Sequence, residues 1–166
     1  MGSRIVTGQG EVFWEDLDPS AIVCGPGVTV TDAHLVNWAG LTGDWVSLHL
    51  DEDYASGTRF GRRVAHGPLT LALGLGLLTQ TGIFGNVIAW LGVDNVRAIA
   101  PVFIGDTVHP EATLVESRTT SRADQGIWTF TYTMLNQRRE PVMTFTSSLM
   151  LARRKPSTGK EELLDV

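Results

Sequence analysis

Asp44 and His49 stand five positions apart in Gly43-Asp44-Trp45-Val46-Ser47-Leu48-His49, and His66-Gly67-Pro68 follows shortly after. A carboxylate, an imidazole and the start of a helix are the parts needed to move protons beside a polarised carbonyl. Asp44 sits in tight backbone between a glycine and the large ring of Trp45, a setting for a proton acceptor; the simpler role is a cap on the turn 45 to 48. His49, flanked by Leu48 and Leu50, is placed as a neutral, partly desolvated imidazole, and the competing reading is a satisfied core histidine. Pro68 suits the first turn of a helix, because its fixed dihedral is helical and its missing N–H would have no partner there. Gly67 just before it lets a ligand oxygen approach the backbone, where its N–H and the positive end of the helix dipole would steady developing negative charge. Otherwise Gly67 only turns the chain and His66 caps the helix.

Other chemistries find less in the sequence. The four histidines (34, 49, 66, 109) and one cysteine form no HExxH, CxxC or His-x-His pattern, so no metal is expected. Gly74-Leu75-Gly76-Leu77 lacks the lysine of a phosphate loop and lies inside an apolar segment. Arg59, Arg62 and Arg63 form a basic cluster ahead of His66 that could meet the phosphates of a long, cofactor-borne substrate, or be a solvated loop. Cys24 lies between a short apolar strand and the Gly25-Pro26-Gly27 turn and reads as a plain core or turn residue rather than a nucleophile.

The 18 acidic against 13 basic side chains, a net charge of -5, are scattered, which disfavours a nucleic-acid partner. A single cysteine excludes an intrachain disulfide and fits a reducing, cytoplasmic setting. No signal peptide is visible, and the longest apolar stretch, Leu69 to Leu78, is too short to span a membrane. The 166 residues fit a single domain, with a core from about 12 to 153 and a polar tail from 154 to 166.

The elements that must position these residues follow from periodicity. Val28 to Thr31 reads as a short strand, and Thr31 caps a helix with Asp32 in its first turn and Leu35, Trp38 and Ala39 on one stripe. Gly40 and Gly43 should end that helix, Asp44 to His49 should be loop, and Asp51 can cap a short second helix. Pro68 to Thr81 is apolar or small nearly all round, which predicts a helix buried on every face. Val87 to Leu91 and Val93 to Val102 read as strands, and Gly105-Asp106 as a turn, with Pro110 shortening or displacing the strand after it. Ile127 to Met134 alternates, Trp128, Phe130, Tyr132 and Met134 facing a core, and Val142 to Leu151 is the last strand. Three or four antiparallel strands beside one apolar helix argue an α+β fold, a curled sheet packed around the helix, whose edges need cover.

Trp38 to His49, with Gly43-Asp44 and His49, then Ala65-His66-Gly67 and Gly105-Asp106-Thr107-Val108, resemble the MaoC-like dehydratase and (R)-specific enoyl-CoA hydratase family over roughly residues 12 to 153. The resemblance implies a hotdog fold, an antiparallel sheet wrapped around a long central helix, and a homodimer, with higher assembly possible, whose sheets join edge to edge. It implies reversible hydration of a 2-enoyl thioester in fatty acid metabolism, with coenzyme A or acyl carrier protein as the handle and no separate cofactor. On that reading Asp44 takes a proton from a water held between it and His49, His49 helps deliver a proton to C2, and the Gly67 N–H holds the thioester oxygen. Trp45, His66, Leu75, Arg62 and Arg63 are the implied substrate contacts. Val46 and Ser47 stand where the family often has Asn-Pro, and Leu75 where it often has Ser, so an altered acyl group or a loss of activity follows. A thioesterase and a non-catalytic acyl-thioester-binding or structural subunit are the alternatives.

Overall fold

The computed structural model describes residues 4–5 and 12–154. Four long strands carry the fold: β4 (Val87–Ala98), β5 (Thr107–Thr119), β6 (Gln125–Leu135) and β7 (Pro141–Ala152). They pair antiparallel in the spatial order β5-β6-β7-β4. Three short strands, β1 (Arg4–Ile5), β2 (Ile22–Cys24) and β3 (Val28–Thr29), extend the β5 side, β1 lying parallel to β2. The alternation in β6 puts Trp128, Phe130, Tyr132 and Met134 on one buried face, joined there by Phe145, Leu149 and Leu151 of β7.

Two strand readings need correction. The segments from Val87 and Val93 form one strand, β4, with irregular register around Gly92 and near Asn95, whose positive φ of 54° a short polar side chain tolerates. Pro110 lies inside β5 rather than displacing it. Its carbonyl accepts from the Gly25 N–H at 2.9 Å, so its missing N–H falls opposite the Gly25-Pro26-Gly27 turn, between the pairings of β2 and β3, where no ladder donor is required.

The helices α1 (Asp32–Thr42), α2 (Ser47–Leu50), α3 (Glu52–Ser56) and α4 (Gly67–Thr79) occupy the stretch between β3 and β4. Thr31 caps α1, whose end comes at Gly43 in the left-handed region, φ 79°. Asp51 caps α3, its carboxylate accepting from the Tyr54 N–H at 3.0 Å. The expected polar tail lies outside the described residues except for Arg154, which with Arg153 pairs to Asp16 and Glu15 of a 3-10 turn, Trp14–Asp16.

The central apolar segment is helical, but the expectation of burial on every face fails. Leu69, Thr70, Gly74, Leu77 and Leu78 are buried, whereas Leu71, Ala72, Leu73 and Leu75 are half-buried and Gly76 and Thr79 exposed. The sheet covers one side of α4 and does not close around it. Gly74 and Gly76 separate these two environments. A methyl group on Gly74 would lie 2.6 Å from Met134 Sδ and 3.2 Å from the Phe145 ring, so the sheet needs that position bare; one on Gly76 would meet nothing within 4 Å.

Alanine at the two positions therefore acts in opposite directions. Gly74→Ala is expected to lower unfolding free energy by about 1 to 3 kcal/mol through overpacking, and Gly76→Ala to raise it by up to about 1 kcal/mol through helix propensity. Urea denaturation of the two variants checks this, and equal shifts would contradict the packing described.

Candidate active site

The site is assembled where the segment before α4 crosses the end of the sheet. Val64 bridges Phe103, and the Ala65 N–H donates to the Val102 carbonyl at 2.7 Å, which anchors His66 and the first turn of α4. The Val64 N–H donates to Leu48 O at 3.3 Å, bringing α2 against the same segment. His49 therefore lies on a one-turn helix, and only 44 to 46 of the expected loop are irregular.

Asp44 is held by its backbone at both ends. Its N–H donates to Thr42 Oγ1 at 3.3 Å, and its carbonyl accepts from His66 Nε2 at 3.1 Å. The carboxylate itself has no hydrogen bond or ion pair among the described residues. One acceptor atom of Asp44 and one nitrogen each of His49 and His66 lie within 4.8 Å of one another.

Backbone carbonyls assign the protons on the two rings. A carbonyl only accepts, so His49 Nδ1, 2.6 Å from Val64 O, carries a hydrogen, and Nε2 of the neutral ring is left with a lone pair. In the same way His66 Nε2 donates to Asp44 O, and its Nδ1 is a buried acceptor without a partner. The rings stack with centroids 3.9 Å apart and planes 29° from parallel. An imidazole lone pair lies in its ring plane, so stacked rings do not converge on one point about 2 Å from both, as a shared metal ion requires.

His66 is fully buried, and that burial pushes its imidazole below the ordinary histidine range; neighbouring His49 acts the same way, and the bond to the Asp44 carbonyl opposes both. Walled in, the ring holds the backbone of Asp44 through its Nε2. Gly67 is exposed at the first position of α4, with no acceptor for its N–H among the described residues. It lines a cavity of about 260 Å³ together with Arg59, Phe60, Thr70, Ala100 and Met143. Asp44 and His49 adjoin this cavity's helix start through His66 but do not line it.

The remaining expected contacts scatter. Trp45 is 61% exposed. Arg63 is committed to Asp32 and Glu52, at 2.7 and 2.9 Å, and so ties the first residues of α1 and α3 together instead of standing free for phosphate. Arg62 lies over the Phe103 ring, 4.0 Å from its centroid, and Arg59 over Phe60 at 4.8 Å; neither has a carboxylate partner among the described residues. Leu75 lies two turns along α4, on a second cavity of about 560 Å³. The carbonyls of Val64 and Asp44, which set the tautomers, have no mark in the sequence.

The depressed His66 proton affinity makes stability depend on pH. In the unfolded chain this histidine titrates near about 6.5, so as pH falls below that value the unfolded state takes up the proton first and folding weakens. His66→Gln, which keeps an N–H donor, is expected to lose less stability than the parent between pH 7.5 and 5 in urea titrations; parallel pH curves would contradict the assignment.

The chain matches the family model described as MaoC like domain over residues 22–133. It is 37% identical over 101 residues to Protein MaoC of Klebsiella aerogenes, covering 61% of this chain and 30% of that one. To the (R)-specific enoyl-CoA hydratase of Aeromonas caviae it is 35% identical over 105 residues, covering 63% and 74%. The crystal structure of the MaoC-like dehydratase from Rhodospirillum rubrum superposes with a TM-score of 0.78 at 30% identity, covering 88% of this chain and 100% of that one. The chain thus spans under a third of the Klebsiella protein and most of the two smaller ones. With the family match taking in more than half of its residues, and a hotdog-like antiparallel sheet to go with it, the chain belongs to the MaoC-like dehydratase family.

Proposed function

We propose that the protein is a hydro-lyase that reversibly adds water across the double bond of a 2-enoyl thioester. The observation that carries this reading is the unpaired Asp44 carboxylate gathered with the imidazoles of His49 and His66 near the open amide at the start of α4. Water held between Asp44 and His49 Nε2 meets two acceptors, so it donates both hydrogens and keeps a lone pair for carbon. As its oxygen bonds to C3, Asp44 takes one proton and the π electrons move through C2 to the thioester oxygen. The Gly67 N–H and the end of the α4 dipole steady that enolate-like oxygen. Its collapse returns electrons to C2, which takes the proton that Asp44 removed from water, relayed through His49 Nε2, leaving a 3-hydroxyacyl thioester and Asp44 ionised again. Val46 and Ser47 contribute neither acid nor base, and their difference from the family pattern bears on the acyl group accepted.

Coenzyme A or a carrier protein's prosthetic arm supplies the handle, and its phosphates face Arg59 and Arg62 in this reading, Arg63 being engaged elsewhere. A homodimer fits the same picture. Among the described residues the outer edge of β4 has no partner strand, and the strand carries Ile88, Trp90, Leu91 and Val96 exposed. A second copy paired there would cover them and close the open side of α4, giving the wrapped helix of a hotdog dimer. One domain then holds the whole acid–base set. Among the described residues no helix is long and apolar enough to cross a membrane, and a cytoplasmic enzyme is the setting that suits the lone Cys24.

Asp44→Asn is expected to lower kcat on crotonyl-CoA by about a hundredfold or more, with KM nearly constant, because it removes the proton acceptor alone. Loss of the conjugated enoyl absorbance reads this out, and full turnover by the variant sinks the mechanism. Arg62→Ala is expected instead to raise KM about fivefold without changing kcat, the mark of a charge-assisted phosphate contact. An unaltered KM would remove Arg62 from the handle's path. Thiol release without loss of the enoyl signal would favour a thioesterase, and tight acyl-CoA binding with no product a non-catalytic subunit.

A further inference from the structure

The turn that leads from β4 into β5 is tied more heavily than a change of direction requires. Gly105, at φ 96°, bends the chain so that the Asp106 N–H donates to Phe103 O at 3.0 Å, and the Asp106 carboxylate accepts the Phe103 N–H in return at 2.9 Å. The other carboxylate oxygen accepts from Gln137 Nε2 at 2.9 Å, while Gln137 Oε1 accepts from the Thr107 N–H at 3.1 Å. Among the described residues no Lys or Arg forms an ion pair with this carboxylate, so both of its oxygens are spent on neutral N–H groups.

Two lines run from that turn to the candidate site. The first passes through Val30, buried just ahead of the α1 cap. Its N–H donates to Asp106 O and its carbonyl accepts from the Gly105 N–H, both at 2.8 Å. From there α1 runs to Gly43, next to Asp44. The second passes through Phe103, which bridges Val64. Val64 O orients His49 through Nδ1 at 2.6 Å, and Ala65, His66 and Gly67 follow directly in the chain.

We propose that Asp106 is a positioning residue for the reaction. Its carboxylate fixes Phe103, and through Phe103 both the Val64 carbonyl that sets the His49 tautomer and the short segment that ends in the Gly67 amide. The role rests on the hydro-lyase reading, in which His49 holds the water and Gly67 the thioester oxygen. Displacing such groups by about 1 Å costs up to about a hundredfold in rate. The phosphates of the handle meet long, flexible guanidinium side chains that follow a small shift, so kcat rather than KM carries the effect.

Variants of the intact protein, assayed on crotonyl-CoA, test the role. Asp106→Asn sets an amide N–H against Gln137 Nε2, donor against donor, and is expected to lower kcat about tenfold with KM within about twofold of the parent. Gln137→Glu brings two carboxylates together and is expected to lower kcat as well. Combined, the two substitutions exchange the partners' roles. The new amide donates, the new carboxylate accepts from it and from the Thr107 N–H, and kcat is expected to return to within about twofold of the parent. Imidazole nitrogen NMR shifts of His49 in the resting protein separate positioning from plain destabilisation. Asp106→Asn is expected to move them from the Nδ1–H form toward a mixture of tautomers, and the double variant to restore them.

Parent kcat in Asp106→Asn, a loss that the double variant does not recover, or a lowered kcat with an unmoved His49 tautomer would overturn the assignment. Circular dichroism checks folding. If Asp106→Asn does not fold, Gln137→Ala, which leaves the Phe103 bond in place, is expected to lose about threefold in kcat, and the parent value from it overturns the role equally. The two readings fail separately. An inactive Asp44→Asn beside a fully active Asp106→Asn removes only the role of Asp106, whereas no turnover by the parent with a His49 tautomer that still follows Asp106 removes only the hydro-lyase.

Discussion

The hydrogen bond from His66 Nε2 to the Asp44 carbonyl, 3.1 Å long, joins two parts of the chain that share no regular element. One end is fixed to the β4–β5 connection through Ala65 and Val102; the other is the irregular turn after α1. His66 is wholly buried, so that bond is shielded from competing water and its loss would leave the Asp44 carbonyl unmatched. The same ring stacks on His49, which its own bond to Val64 O orients. One buried imidazole thus decides where a carboxylate and a second imidazole meet. The unpartnered Nδ1 is the cost of that arrangement, and burial is the reason the ring holds its proton weakly.

The rest of the fold makes that burial possible. The alternating apolar faces of β6 and β7 give α4 a floor, and Gly74 lets the helix settle onto Met134 and Phe145. A helix seated this closely directs its first turn, Gly67 foremost, toward the segment that carries His66. Arg63 holds the first residues of α1 and α3 together above it, using two carboxylates at helix starts, where negative charge is already favoured. Burial on one side and openness on the other follow from the same placement: α4 has more apolar surface than this sheet covers.

Much of the site was legible because its parts are marked by residue type. Asp44 beside a glycine, His49 between leucines and Gly67 before Pro68 each carry a reason for their place that spacing alone conveys. The caps at Thr31 and Asp51 and the alternation of β6 were readable for the same cause. What stayed hidden depends on groups that every residue has or on contacts far apart in the chain. Backbone carbonyls of Val64 and Asp44 choose the tautomers, and Arg63 finds Asp32 from 31 positions away. Pro110 looked like a strand breaker until the turn beside it was seen to ask for no donor. The greasy circumference of α4 read as buried all round, because apolar periodicity does not separate a face covered by its own chain from one open to a second copy.

Solvent labelling tests the central claim most directly. Crotonyl-CoA incubated with the protein in water enriched in oxygen-18 should give 3-hydroxybutyryl-CoA with the heavy oxygen on C3 and the thioester intact. Heavy oxygen in a free carboxylate, or unlabelled thioester after prolonged incubation, would contradict the account.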